Sequence, residues 1–420
     1  MRSFASISFV LIILILIDLY VFKGLKALVG RKKPQCKKIF RLAYWIFSLL
    51  LIAAFVFFYL HYEADPENST RYRHLLTFNA VLIAQLVFKV VYLVFELIRD
   101  FLRLLKWLIS KKKRPVYQEV HPDQAIDRKE FLRKAGIMTA ALPFLGVIQG
   151  IGWGRFNFKL HHKKLYLNNL PKEFNGLRIV QLSDAHLGGF AGQQERLYEV
   201  TEMIQELNPD LVVFTGDMVN NFASEMNGWT RVFADMPAKI GKFSILGNHD
   251  YGDYSEWPSK DAKTQNLQQI IRNQQKMGYQ VLQNENVRIF RDGASIFLAG
   301  MEHWGNPPFP QYGDLNKTLE GIPADAFTIL LSHSPDHWSE QVLPQTNIPL
   351  TLSGHTHGFQ FGFEIGSFQI SPVRLLYKHW AGLYQEGSQY LYVNRGLGVL
   401  GFPGRVGIWP EITLLELYRG

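Results

Sequence analysis

The sequence predicts a layered α/β domain over residues 155–420, preceded by a helical region that crosses a membrane. Three observations carry this. From about residue 155, short apolar runs alternate with stretches of helical spacing, the pattern of stacked sheet and helix. Five of the runs end in small-residue turns that carry Asp, Asn or His: SDAHLG at 183–188, TGDMVN at 215–220, LGNHDYG at 246–252, LLSHSPD at 330–336 and SGHTHG at 353–358. The longest apolar runs, by contrast, crowd into the first third of the chain.

Charge divides the chain in the same place. Residues 1–154 hold 23 Lys and Arg against 10 Asp and Glu, whereas residues 155–420 hold 22 against 26. The net +9 therefore belongs to the amino-terminal part. A mildly acidic domain lacks the basic stripe that phosphate-backbone binding needs, so no nucleic-acid partner is expected. The single cysteine, Cys36, excludes an intrachain disulfide and a Cys-based metal site.

Taken in order, residues 4–22 are nearly pure hydrocarbon with Asp18 as the lone charge, and about 20 such residues span a bilayer. No small-residue cleavage site follows, and further spans do, which argues against a signal peptide. A second span covers 42–60 and a third 75–98, the latter with Gln85, Lys89 and Glu96. Lys89 near mid-span is costly unless it faces neighbouring helices. The link between the first two spans is basic (Lys23, Lys26, Arg31, Lys32, Lys33, Lys37, Lys38, Arg41), as is 99–114, and positive charge stays inside. That sets three spans within 1–114, with the amino terminus outside.

Residues 115–154 hold a linker and a fourth, weaker apolar segment at 131–153, interrupted by Pro143. It is long enough from Ala135 to cross, which would place residues 155–420 outside the cytoplasm. The competing reading is an interfacial or buried helix that keeps the domain inside. Its approach, DRKEFLRK at 127–134, resembles a twin-arginine export signal with Lys129 in place of the second arginine.

Within the domain, strands are expected at 177–182, 210–214, 242–246, 279–282, 287–291, 295–299, 327–331, 350–352, 390–394 and 412–417, with helices at 193–207 and 262–277. The five polar turns follow five of these strands. His355 and His357 sit where a strand ends and a loop opens, and a bend there lets each imidazole face its own ion. Mixed carboxylate, imidazole and amide oxygen suit Mn, Fe or Zn better than Ca. Two such ions about 3.5–4 Å apart activate a hydroxide and steady the charge on a phosphoryl group, with no nucleophilic Ser or Cys required.

The ordered set DAH, GDMVN, GNHD, SHS and GHTH, over about 175–420, resembles the calcineurin-like metallophosphoesterase superfamily. The resemblance implies a four-layer α/β/β/α double-sheet sandwich. It implies one metal held by Asp184, His186, Asp217 and His357, and a second by Asp217, Asn248, His333 and His355, with Asp217 bridging. His249 becomes the acid that protonates the leaving oxygen or a group that stabilises charge, and Asp250 its orienting partner. Two departures stand out. Many relatives have Asp at the place of Asn220, which is not a ligand position. Phe359 replaces the second Gly of the GHTHGGQ found in membrane-associated relatives, and alters the pocket wall.

The ending VNRGLG at 393–398 with Pro410-Glu411-Ile412 resembles bacterial membrane-linked phosphoesterases with lipid or cell-envelope substrates. The expected function is a phosphoester or pyrophosphate hydrolase of the bacterial inner membrane, acting on a phosphorylated, amphipathic substrate. Two alternatives stay open: a UDP-diacylglucosamine-type pyrophosphate hydrolase facing the cytoplasm, and a non-catalytic scaffold on the same fold. Arg395 and Arg405 read as solvated surface residues, with contact to the substrate phosphate as the other reading, and His303 as a packed loop residue. Trp304, Phe309, Tyr377, Trp380 and Tyr384 form either an apolar lip for an acyl chain or an ordinary core edge.

Overall fold

The computed structural model describes residues 2–28, 34–110, 128–366 and 368–420. The basic run 111–114, and Arg31, Lys32 and Lys33, lie outside the described residues. The chain forms two units, one of the residues up to Ala64 with Thr77–Gln149, the other of Asp65–Leu76 with Gly150–Gly420.

The first unit is built on helices α1 (Arg2–Leu28), α2 (Pro34–Glu63), α3 (Ser69–Ser110) and α4 (Arg128–Gly152). Among the described residues, α2, α3 and α4 are long and apolar enough to cross a membrane. Helix α3 runs a dozen residues past its apolar stretch, because Leu, Arg and Lys after Ile98 are strong helix formers. Val21, Tyr92 and Ala140 pack together, so α1, α3 and α4 share a core.

The charge problem of the third span is resolved by pairing. Lys89 forms a buried ion pair with Asp18, and Tyr44 donates its hydroxyl hydrogen to Asp18 Oδ1 at 2.8 Å. One polar knot thus ties α1, α2 and α3. Breaking a buried pair leaves an uncompensated charge, whereas replacing both partners by apolar groups is tolerated. Lys89→Leu is expected to cost about 3 kcal/mol in detergent-solubilised protein. Thermal denaturation should show most of that loss recovered in the Asp18→Leu/Lys89→Leu double variant.

The second unit carries fourteen strands among the described residues: β1 (Lys159–Leu167), β2 (Leu177–Leu182), β3 (Leu211–Phe214), β4 (Gly241–Ser244), β5 (Tyr279–Val281), β6 (Glu285–Arg291), β7 (Ala294–Gly300), β8 (Thr328–Leu331), β9 (Leu350–Ser353), β10 (Phe363–Ile365), β11 (Phe368–Ile370), β12 (Gly382–Glu386), β13 (Gln389–Val393) and β14 (Glu411–Arg419). One six-stranded sheet has the order β1-β14-β2-β3-β4-β5, the other β12-β13-β9-β8-β7-β6, and β10-β11 form a separate hairpin.

In the two six-stranded sheets, strand alternation sorts the buried apolar side chains into layers. Ile179, Leu211, Val213 and Leu415 point from the first sheet into the gap between sheets, where they meet Ile329, Leu331, Leu350, Leu352 and Tyr392. Their neighbours Val180, Val212 and Phe214 point outward onto helices α5 (Gln194–Leu207), α6 (Thr230–Ala234) and α7 (Lys260–Lys276) through Leu197, Val200, Phe233 and Ile270. On the far side, Leu330, Leu391 and Val393 pack against Trp338 and Val342 of the helical segment that follows β8. The result is the four-layer α/β/β/α sandwich that the resemblance implies.

Candidate metal centre

In both sheets the central strands run parallel, so β2, β3 and β4 end on one rim and β8 and β9 end together. The five polar turns leave from those ends. They bring Asp184, His186 and His357 into one cluster and Asp217, His333 and His355 into a second, the donor atoms within each lying within 4.8 Å of one another. Asp217 Oδ2 stands between them, 3.6 Å from His186 Nε2 and 3.2 Å from His333 Nε2. Asn248 joins the second cluster, its Oδ1 3.1 Å from His333 Nε2. All seven side chains named from the sequence converge.

Bending achieves this convergence. Asp184, His186, Asp217, His355 and His357 all adopt left-handed backbone, with φ of 50, 45, 61, 73 and 51°. Each such non-glycine residue costs on the order of 1 kcal/mol, strain that concentrates at functional sites. Two glycines admit the close approach. A Cβ on Gly247 would lie 2.2 Å from Asp217 Oδ1, and one on Gly354 would lie 2.0 Å from Ser183 Oγ.

Each imidazole of four has one nitrogen committed to the protein, which leaves the other for a cluster or, in His249, for the cavity. His186 Nδ1 donates to Asn220 Oδ1 at 3.2 Å, His333 Nδ1 to the Thr215 carbonyl at 2.7 Å, and His249 Nδ1 to the Asn220 carbonyl at 2.8 Å. His355 meets the Tyr377 hydroxyl through Nε2 at 3.0 Å, so its Nδ1 faces the second cluster. His357 Nε2 lies 3.2 Å from Asp184 Oδ1.

The electrostatics call for positive charge. Asp184 and Asp217 are fully buried, yet neighbouring imidazoles outweigh the burial that would raise their carboxyls and hold both below the usual range. His333 is held up at about 9: burial opposes its charge, but Asp217 prevails. His355 is pushed down to about 3 by burial and by the His333 charge, which outweigh the opposing pull of Asp217 and Asp184. Two buried carboxylates ringed by imidazoles and an amide oxygen fit divalent cations of intermediate hardness.

Two assignments from sequence need correction. Asp250 does not orient His249, a task that falls to the Asn220 carbonyl. Its carboxylate accepts instead from the backbone amides of Gly247, Asp217, Met218 and Val219, and so fixes the turn that carries Asp217. Arg395 and Arg405 are not solvated. Both are buried, Arg395 between Glu411 and Glu364, and Arg405 with Nη2 on the Gly398 carbonyl at 2.6 Å and 3.3 Å from His357 Nδ1. The two open readings of the aromatics divide between them: Phe309 and Tyr377 line the pocket, whereas Trp304 and Trp380 are core residues and Tyr384 packs against the core cluster that includes Trp304.

Glu225 escaped sequence reasoning. Fully buried, it accepts from the amides of Gly188, Asn220, Asn221 and Phe222 and from Asn220 Nδ2, and so locks the side chain that orients His186. Its signal was present but ordinary, a carboxylate five residues after Asn220. His303 is fully buried against His333, His355 and Phe309, a packed loop residue as read.

Above the clusters a cavity of about 470 Å³ opens, floored by Asp217, Asn248, His249, His355 and His357 and walled by Phe309, Phe359, Leu376, Tyr377, Leu400 and Phe402. Phe359 therefore does form part of the pocket wall, at a φ of 59° that glycine would adopt without strain.

Residues 177–359 match the family model described as "Calcineurin-like phosphoesterase", and residues 1–155 match "Probable Calcineurin-like phosphoesterase, transmembrane domain". The chain is 34% identical over 305 residues to the metallophosphoesterase YkuE of Bacillus subtilis, across 70% of this chain and 98% of that protein. It is 32% identical to a transmembrane protein with metallophosphoesterase domain from Danio rerio, over 67% of this chain and 61% of the relative. It is 30% identical to the UDP-2,3-diacylglucosamine pyrophosphatase LpxG of Chlamydia trachomatis, over 55% of this chain and 81% of that protein. Strained turns, two histidine-carboxylate clusters and these matches agree: the chain is a membrane-integrated member of the calcineurin-like metallophosphoesterase family of phosphoester hydrolases.

Proposed function

We propose that this chain hydrolyses a phosphoester or pyrophosphate bond in a lipid-linked or cell-envelope substrate, with Asp184, His186, Asp217 and His357 holding one divalent ion and Asp217, Asn248, His333 and His355 the other. The observation that carries the reading is the cavity: a floor of metal-ligand side chains under walls of Phe, Leu and Tyr. Apolar walls with a few convergent polar groups suit a phosphate attached to an apolar body. Mn, Fe and Zn all fit the donor set.

When bound, the two ions would supply charge stabilisation at the phosphoryl oxygens and an activated water. The protein does the rest. His249 is fixed through Nδ1, and its ring borders the cavity. Once protonated at Nε2, it is placed to hand that proton to the leaving oxygen. Asp250 holds the turns of Asp217 and Gly247, and so acts as a positioning residue.

A second reading, cleavage of a UDP-lipid pyrophosphate on the cytoplasmic face, draws support from the similarity to LpxG. The extracytoplasmic placement draws support from the basic link between the first two apolar segments of the sequence and from α4, which is long and apolar enough to cross. An exported-phosphatase reporter fused after Gly420 should be active, and fluorescence from a cytoplasm-only reporter would reverse this placement. A scaffold has no need of the strain that gathers these donors.

The test is turnover of bis-p-nitrophenyl phosphate and of a lipid pyrophosphate by the full chain with added Mn. His249→Ala is expected to lose about 10²-fold or more in turnover while retaining its metal. A wild-type chain that binds no metal and cleaves neither compound would support the scaffold.

A further inference from the structure

One surface of the catalytic unit is built inside out. In the hairpin of β10 and β11, Phe363 pairs with Ile370 and Ile365 with Phe368, and all four side chains face solvent. The opposite face holds Glu364 and Gln369 and turns inward, where Glu364 Oε1 takes Arg395 Nη2 at 2.7 Å. A soluble hairpin has the reverse arrangement, with polar groups out and apolar groups in. The hairpin is also fastened in place. Gly362 donates to the Val406 carbonyl at 2.9 Å, and Phe361 bridges Val406. Leu375 and Leu376, which follow β11 closely in the chain, are apolar and exposed as well, and the six side chains are between 48% and 89% exposed.

Six neighbouring apolar side chains on a rigid base mark an interaction surface, whereas isolated ones would not. We propose that this face, Phe363, Ile365, Phe368, Ile370, Leu375 and Leu376, dips into the apolar layer of a lipid bilayer. Three observations favour lipid over a protein partner. None of the six side chains can form a hydrogen bond, whereas protein interfaces regularly carry them and hydrocarbon offers none. Arg374 and Lys378 are exposed on either side of the leucine pair, where anionic headgroups would meet them. The last candidate span ends at Gly152 and β1 starts at Lys159, so every copy of the domain is joined to a bilayer through residues 153–158.

The surface also leads to the cavity. Leu376 and Phe359 belong to the cavity wall and are themselves exposed, so the apolar face is continuous with the entrance above His355 and His357. A bilayer lipid with its chains beside the hairpin can bring its phosphate to the clusters without its chains entering water. Only this last step rests on the proposed function; insertion of the hairpin does not.

The experiment uses the full chain in nanodiscs of phosphatidylcholine and phosphatidylglycerol. In a Cys36→Ser background, the environment-sensitive dye NBD is attached at Phe368→Cys, at Ile365→Cys as a second reporter, or at Asp325→Cys, an exposed control position. Lipids with a nitroxide on the acyl chain should quench the hairpin labels at least threefold more than the control label. Equal, weak quenching at all three positions overturns the proposal. So does hairpin fluorescence that is shielded from iodide but untouched by nitroxide lipid, which would indicate a protein cover or a second copy.

A second arm reads the consequence. Ile365→Glu/Phe368→Glu should lower hydrolysis of a bilayer-presented lipid pyrophosphate about tenfold or more and leave bis-p-nitrophenyl phosphate turnover within twofold. A wild type that cleaves neither compound refutes the proposed function, while the quenching data still decide insertion.

Discussion

Asp217→Ala is expected to lower turnover by about 10³-fold or more and to reduce bound divalent metal in the same protein. Its Oδ2 lies 3.6 Å from His186 Nε2 in one cluster and 3.2 Å from His333 Nε2 in the other. It also accepts from the His249 amide at 2.9 Å through Oδ1, so its loss frees the turn that carries the proposed acid. The effect should exceed that of any single histidine, because each of those serves one cluster. Steady-state kinetics together with metal counting on the purified full chain checks this. Loss of metal without loss of turnover would separate the residue from the chemistry.

The second large effect is on stability. Arg395 Nη1 binds Glu411 Oε2 at 2.5 Å while its other side holds Glu364, and Glu411 Oε1 accepts from the Tyr392 and Thr413 hydroxyls. Arg395→Met leaves Glu411 buried and unpaired, a change that costs about 3–5 kcal/mol. In a domain of this size that lowers the melting temperature by roughly 10 °C. Arg395→Met/Glu411→Leu should recover much of the loss.

The pH dependence has a definite sign. Burial raises the Glu411 carboxyl, but Arg395 outweighs it and holds the group at about 2, below its ordinary 4.5. A depressed carboxyl contributes stability that is complete above 4.5 and disappears as pH falls towards 2. Thermal melts between pH 5 and pH 2 should therefore show a steep acid limb that flattens in Glu411→Gln.

The strand-then-polar-turn pattern made most of the two sheets readable, because a buried parallel strand is an apolar run and its end is where the polar residues begin. The ligand turns were readable for the same reason. Strand β1, by contrast, is rich in Lys and His and lies exposed at a sheet edge, so its composition hides it. Strands β10 and β11 have three residues each, too short to show a period, and they present their apolar side to solvent. The burial of Arg395 and Arg405 depends on partners far away in sequence, Glu364 for the first and His357 for the second. Asp250 looked like the partner of the adjacent His249, but four backbone amides claim its carboxylate first. Lys89 was readable as a difficulty, and its solution, Asp18, sits on a helix more than sixty residues earlier.

Anomalous diffraction from crystals of the full chain loaded with manganese or zinc is the most direct test of the site. The geometry predicts two peaks about 3.5–4 Å apart with the Asp217 carboxylate reaching both. One peak set against Asp184, His186 and His357 should be matched by a second against Asn248, His333 and His355. A single peak, or a pair that does not share Asp217, would contradict a two-ion phosphoesterase.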